Sequence, residues 1–102
     1  MLRLRRSDPV LADQLHRAMI SIPLNIAEGA GEFSPADKAR FYRYSLRSCT
    51  ESLAILDVCN KIQFMKPAEH VACETGDRVV AMLTRLVASA ADRAARRSAS
   101  KR

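Results

Sequence analysis

Five side chains in the 102-residue sequence, Cys49, Cys59, Cys73, His16 and His70, have the chemistry to bind a metal ion. Only His70 and Cys73 share one helical face, at i and i+3, and two donors fall short of the four that a structural zinc requires. No metal is expected, and the cysteines read as small hydrophobes. Ser and Cys are plentiful, but none sits in a nucleophile elbow or beside a glycine-rich oxyanion turn. Gly29 and Gly31 follow a helical segment, whereas a phosphate cradle places its glycines ahead of one. They are expected to stop that helix and to supply positive φ for the turn. Glu28 and Glu32, four residues apart, could form an acid pair but read better as solvated or capping groups. No catalytic residue and no cofactor are predicted.

Arginines make the stronger signal. Arg40, Arg43 and Arg47 recur at i, i+3 and i+7, and Glu51 follows one turn beyond, within reach of Arg47. Such a stripe is either a solvated, salt-bridged face or a surface that contacts phosphates. Arg93, Arg96, Arg97, Lys101 and Arg102 near the C-terminus could serve the same purpose. No RNA-recognition aromatic motif accompanies these charges, so sequence-specific base readout is not expected. Asn25 and Glu28 lie three apart beside the helix-breaking Pro23. Asn25 can donate to a carbonyl freed by the kink, and Glu28 can accept amides from the next helix start. A polar binding spot lining a pore or subunit seam is the functional alternative for this pair.

The elements that carry these residues read as helices. Asp8 and Pro9 form a start signal, and Leu11, Leu15, Met19, Ile22 and Ile26 then recur at intervals of three and four. A helix over about 9–29, kinked at Pro23, is predicted. Ser34, Pro35 and Asp37 repeat the start logic, and no Gly or Pro interrupts the next 26 residues, so a second helix over about 35–63 follows. It carries two apolar seams, one through Phe41, Tyr44, Ser48, Ser52, Ile55, Cys59 and Ile62, the other through Tyr42, Leu46, Cys49, Leu53, Leu56 and Asn60. Together they span roughly 200° of arc, wide enough for two neighbours, and the small Ser45, Ser48, Cys49 and Ser52 would admit one closely. A third helix over about 68–92 buries Ala68, Val71, Thr75, Val79, Met82, Leu86 and Ala90, with Gly76 a mild weakness. With no strand alternation and no internal repeat, the fold class is all-α, an up-and-down bundle of three main helices.

The run Ser21-Ile22-Pro23-Leu24-Asn25-Ile26-Ala27-Glu28-Gly29, with Gly31, Ser34, Arg40-Phe41, Ser48 and Glu51 after it, resembles the four-helix-bundle proteins encoded in intervening sequences of 23S rRNA genes. The accessory variability proteins of diversity-generating retroelements look like relatives in the same fold family. The likeness covers about residues 8–90. It implies a small, non-catalytic helical protomer that assembles into a ring, typically a homopentamer, and, by analogy with the retroelement relatives, a basic surface that binds nucleic acid and a protein partner. Carried over, the structural signature is Ser21, Pro23, Asn25, Glu28, Gly29, Ser48 and Glu51. Two departures stand out. Only thirteen residues precede Gln14 where the family usually has another amphipathic helix, so the first helix reads as missing or truncated, which would expose an apolar groove. Arg47 stands where relatives often carry Gly, placing charge where close helix packing is expected.

The formal charge of +6 is unevenly spread. Residues 1–7 hold three arginines and no acid, and residues 91–102 hold five basic residues against Asp92 alone, so the intervening 8–90 carry one net negative charge. The chain thus divides into a basic stub at 1–7, a helical domain at 8–90 and a basic tail at 91–102, expected to fray. An odd cysteine count, no signal peptide and no run of 18 apolar residues predict a reduced, cytoplasmic setting without a membrane span. The expected activity is self-association together with RNA or other nucleic-acid binding through basic surface. The alternative is an assembly module whose groove docks a partner helix without nucleic acid.

Overall fold

The computed structural model describes residues 5–6, 8–61 and 67–100, with side chains for all of these except 60 and 67–73. Three helices make up nearly all of the described chain: α1 (Pro9–Gly31), α2 (Pro35–Lys61) and α3 (Pro67–Ser100). The fold is all-α, with each helix antiparallel to the one before it. Both cap signals work as the sequence implies. The Asp8 carboxylate accepts the Leu11 amide at 3.0 Å, and the Ser34 hydroxyl accepts the Asp37 amide at 3.4 Å, with proline leading each helix.

The second helix is central. It packs along α1 and along α3, while the two outer helices have almost no contact with each other. The wide apolar arc of α2 therefore does serve two neighbours. Toward α1 it presents Ser45, Ser48, Ile55 and Cys59; toward α3 it presents Ala39, Cys49 and Leu53, about 120° further round. Tyr42 meets both. The radius of gyration, 16.3 Å, exceeds the roughly 13 Å of a compact chain of this length, and the extents of 56 × 20 × 16 Å describe a rod set by the length of α3.

Which residues are buried differs from the simple apolar spacing. On α1 the buried line is Ala12, Leu15, Ala18 and Gly29, and Met19, expected inside, is about half exposed. On α3 Ala90 is buried and Leu86 packs against the core as expected, but Gly76 and Leu83 face inward one residue on from the expected Thr75 and Met82, both of which are exposed. Tyr44, assigned to a seam of α2, is 43% exposed. Small residues dominate the contacts that result. Close helix approach favours the side chain that leaves room, so the larger neighbour in the sequence pattern is turned to the flank.

Glycine is needed for that approach rather than for a turn. None of the three glycines has positive φ, which corrects the expectation for Gly29 and Gly31. A Cβ on Gly29 would lie 2.6 Å from Tyr42 Cε1 and 3.3 Å from the Phe41 Cβ, and one on Gly76 would lie 2.6 Å from Leu53 Cδ2. Gly31 faces open space. The turn is closed instead by the Glu32 amide donating to the Gly29 carbonyl at 3.2 Å and by extended backbone at Glu32.

The C-terminal residues also differ from expectation. Rather than fraying after residue 91, α3 continues to Ser100. Alanine-rich sequence has high helix propensity, and Asp92 and Arg96 form an i, i+4 ion pair at 2.8 Å. Residues 101 and 102, and the interhelical 62–66, lie outside the described residues.

Gly29→Ala is expected to lower stability by about 1–3 kcal/mol through overpacking against the Tyr42 ring. Gly31→Ala, at an open position, is expected to cost nothing. Urea denaturation of the two variants beside the parent chain checks the contrast.

Candidate nucleic-acid interface

The polar residues between α1 and α2 form one connected set. Pro23 has no N–H to offer the Met19 carbonyl, and around this break α2 supplies hydroxyls. Ser45, fully buried, donates to the Ile22 carbonyl at 2.8 Å, and the Ser48 hydroxyl bonds that of Ser21 at 2.7 Å. Asn25 Nδ2 donates to both the carbonyl and the hydroxyl of Ser21, at 2.9 and 2.8 Å. Asn25 thus does bond backbone, although at Ser21 rather than at the carbonyl that Pro23 leaves free. Glu28 does not accept the amides of the next helix as expected; it is exposed and makes no hydrogen bond among the described residues. The capping falls to Lys38, whose Nζ donates to the Gly29 and Ala30 carbonyls at 3.2 and 3.1 Å. A lysine reaching back from the next helix to the last carbonyls of α1 satisfies orphan acceptors and suits the negative end of the helix dipole. Nothing in the local spacing of α1 could have signalled it, because the donor belongs to the other helix.

Beside the Ser21–Ser48 pair the surface opens into a shallow recess of about 380 Å³, lined by Gln14, Arg17, Ala18, Ser21, Ser48 and Glu51. Glu51 and Arg47 do not form the ion pair that their spacing suggested. Arg47 is exposed and points away from the helix contact, and Ser48 and Cys49 make the close approach.

The arginine stripe stands on the side of α2 nearly opposite the buried Ser45. Arg43 and Arg47 are exposed and have no carboxylate partner among the described residues. Arg40 differs from both. Its guanidinium lies 3.6 Å from Asp37 and 4.9 Å from the centre of the Phe41 ring, and Phe41 in turn meets Tyr44 edge to face with centroids 5.9 Å apart. Of the C-terminal basic residues, Arg93 is exposed, Arg96 is held by Asp92, and Arg97 lines a second recess of about 320 Å³ with Ser34, Pro35, Ala36, Ala94 and Ser98. Lys101 and Arg102 lie outside the described residues. The packing of α3 on α2 therefore brings the end of α3 to the start of α2. Arg93, Arg96 and Arg97 stand at the same end of the rod as Arg40 and Arg43, on ordered helix.

Cysteine and histidine chemistry gains nothing from the fold among the described residues, which hold no cluster of three metal-binding side chains. Cys49 and Cys59 are buried, and the side chains of His70 and Cys73 lie outside the description. The Cys49 thiol contacts the Gly76 carbonyl at 3.6 Å, and burial, with a smaller contribution from the charge of Asp77, pushes it above the ordinary thiol range. No helix of the described residues is long and apolar enough to cross a membrane.

The family model of the 23S rRNA-intervening sequence proteins matches residues 4–85, more than three-quarters of the chain. The chain belongs to this family. The matched segment of this 23S rRNA-intervening sequence protein includes all of α1 and α2, the Ser21–Ser48 seam and the stripe at Arg40, Arg43 and Arg47. It stops inside α3, so Arg93, Arg96 and Arg97 lie beyond it. No curated protein and no solved structure matches the chain.

A raised thiol favours the folded state while it stays protonated. Its contribution is complete at neutral pH and is lost as pH rises through the folded-state value, above the ordinary thiol range. Cys49→Ala is therefore expected to lose less of its stability than the parent chain between neutral pH and pH about 10, as read by denaturation midpoints along the pH series.

Proposed function

We propose that this protein is a non-enzymatic, self-associating helical scaffold that binds RNA through exposed arginines. The observation that carries the reading is the pair Arg43 and Arg47, one turn apart, exposed and without a carboxylate partner among the described residues, on the side of α2 away from its buried line. Arginines in that state meet phosphate at little desolvation cost, and each contact releases counterions. Arg93, Arg96 and Arg97 add positive charge alongside the start of α2. Helical order in this segment fixes the spacing of their charges, which a frayed tail would not.

Self-association is supported by apolar side chains that the three helices leave outside. Met19, Ile20 and Leu24 on α1 and Met82 on α3 are each more than 40% exposed. A rod whose outer helices barely meet has apolar flanks to cover, and a second copy, as in the pentameric assemblies that the family resemblance implies, is the reading we favour. The same exposed groups favour a second reading, an assembly module that docks a helix of a protein partner and binds no nucleic acid.

Filter binding or anisotropy with a structured RNA hairpin separates the two. The parent chain is expected to bind at low salt, with affinity falling steeply as salt rises, and Arg43→Glu with Arg47→Glu to weaken binding by at least about tenfold. Neutralising Arg93, Arg96 and Arg97 to Gln is expected to reduce affinity further while leaving the oligomer size unchanged. Absence of binding at low salt would contradict the RNA reading and favour the docking module.

A further inference from the structure

Arg40 does not behave as the other two arginines of its stripe, and the difference assigns a task to the ring beside it. Asp37, Arg40, Phe41 and Tyr44 are linked in sequence along one side of α2. Asp37 holds the Arg40 guanidinium at 3.6 Å, the guanidinium covers the Phe41 ring at 4.9 Å, and the Phe41 and Tyr44 rings stand at 86° to one another with centroids 5.9 Å apart. Each contact is an i, i+3 or i, i+1 neighbour on a continuous helix, so the set is assembled within α2 alone. The Phe41 backbone position is fixed as well, because its Cβ lies against Gly29. The chain of contacts ends at Tyr44, which is 43% exposed. An edge-to-face partner favours one orientation of that ring and leaves part of the residue open to solvent.

Charge surrounds the open surface. Arg43 is the adjacent residue and Arg47 lies three positions on, both exposed and unpaired among the described residues. One turn beyond Tyr44, Ser48 begins the polar recess that Gln14, Arg17 and Glu51 also line. An aromatic surface flanked by free guanidinium groups fits one chemical class of ligand, a polyanion that also carries flat rings. In a duplex the faces of the bases are already covered by their neighbours, whereas an unpaired base can leave its stack and lie on a side chain. Stacking of this kind needs no hydrogen-bond readout and tolerates any base, consistent with the lack of a sequence-reading aromatic motif.

We infer that Tyr44 is a stacking platform for an unpaired nucleotide, with Arg43 and Arg47 on the flanking phosphates and with Arg40 and Phe41 as positioning residues that hold the ring. The inference rests on the nucleic-acid reading above and specifies the part of the ligand that this face takes, a single-stranded segment. It also divides the stripe. Arg40, already engaged by Asp37 and Phe41, contributes to ring position, and Arg43 and Arg47 contribute the salt-dependent contacts.

The chain has two tyrosines and no tryptophan, and Tyr42 is buried, so a Tyr42→Phe chain reports Tyr44 alone by its fluorescence. Twelve-residue oligouridylate, oligothymidylate and a twelve-pair RNA duplex are titrated into it at low salt. The expected result is quenching of Tyr44 by single strands and not by the duplex, with Tyr44→Ala weakening single-strand binding roughly tenfold and Tyr44→Phe retaining it. Arg47→Gln is expected to lower the salt slope by about 0.7, and Arg40→Gln to reduce the quenching while leaving that slope unchanged. Quenching by oligouridylate alone assigns RNA as the source, and equal quenching by oligothymidylate assigns a site indifferent to the sugar; either supports the platform. Duplex and single strands that bind alike, with no quenching and no effect of Tyr44→Ala, would overturn it while the arginine reading stands. No binding of any of the three would overturn both.

Discussion

Close contact between α1 and α2 is the constraint on which the other features depend. It is set at two points. Near the end of α1, Gly29 lies under the Tyr42 ring where even a methyl group would come within 2.6 Å, and at mid-helix the buried Ser45 hydroxyl reaches the Ile22 carbonyl at 2.8 Å. A larger residue at either point would push the helices apart. The carbonyl that Ser45 bonds lies immediately before Pro23, so a hydroxyl from the neighbouring helix meets backbone beside the proline inside α1, which cannot donate within the helix. Ser21, Asn25 and Ser48 extend the same polar contact by one further turn. Ser21, Asn25, Ser45 and Ser48 thus let two helices touch around a proline, and no buried polar atom of the described side chains is left without a hydrogen bond.

The seam has consequences on the far side of α2. Because the small residues face α1, the long side chains of α2 are turned outward, and Arg40, Arg43 and Arg47 form a stripe nearly opposite Ser45. Phe41 sits between the two regimes, with its Cβ at the Gly29 contact and its ring under Arg40. The second contact, with α3, is built the same way. Gly76 admits Leu53, and Ala90 meets Ala39 and Tyr42, so that the end of α3 is laid along the start of α2. Its arginines come to the same end of the rod as the stripe. Positive charge that the sequence distributes to the chain's end is in this way presented on ordered helix, while residues 8–90 remain nearly neutral in sum.

Helix number, order and start points were legible in the sequence because they rest on local chemistry. Asp8 and Ser34 cap, Pro9 and Pro35 lead, and the absence of Gly and Pro after residue 35 lets α2 run. The double seam of α2 was legible too, since an apolar arc of that width has to face more than one neighbour. Burial register was legible in part. Leu15, Tyr42, Cys49, Ser52, Ile55, Cys59 and Ala90 are buried as the spacing implied, and Ser45 makes the close contact its size suggested. Periodicity favours the larger side chain, however, so it also pointed to Met19 and Tyr44, which are exposed beside buried Ala18 and Ser45, and on α3 to Thr75 and Met82 where Gly76 and Leu83 face inward. The role of Gly29 was hidden for the same reason, as a glycine near a helix end is read first as a turn. Lys38 as the cap of α1, and the link from Asp37 to Tyr44, join residues whose relation is fixed only once the two helices are packed or the rotamers are set. The C-terminal segment looked frayed because it lacks large apolar groups, yet alanine propensity and the Asp92–Arg96 pair are enough to keep it helical.

A self-associating scaffold that carries RNA should show both properties in one measurement. Native mass spectrometry of the purified full chain, with and without ribonuclease treatment, reads them together. A single oligomer whose mass exceeds a whole number of chains by a nuclease-sensitive increment is the expected result. A monomer of unchanged mass under both conditions would contradict the scaffold and its RNA cargo alike.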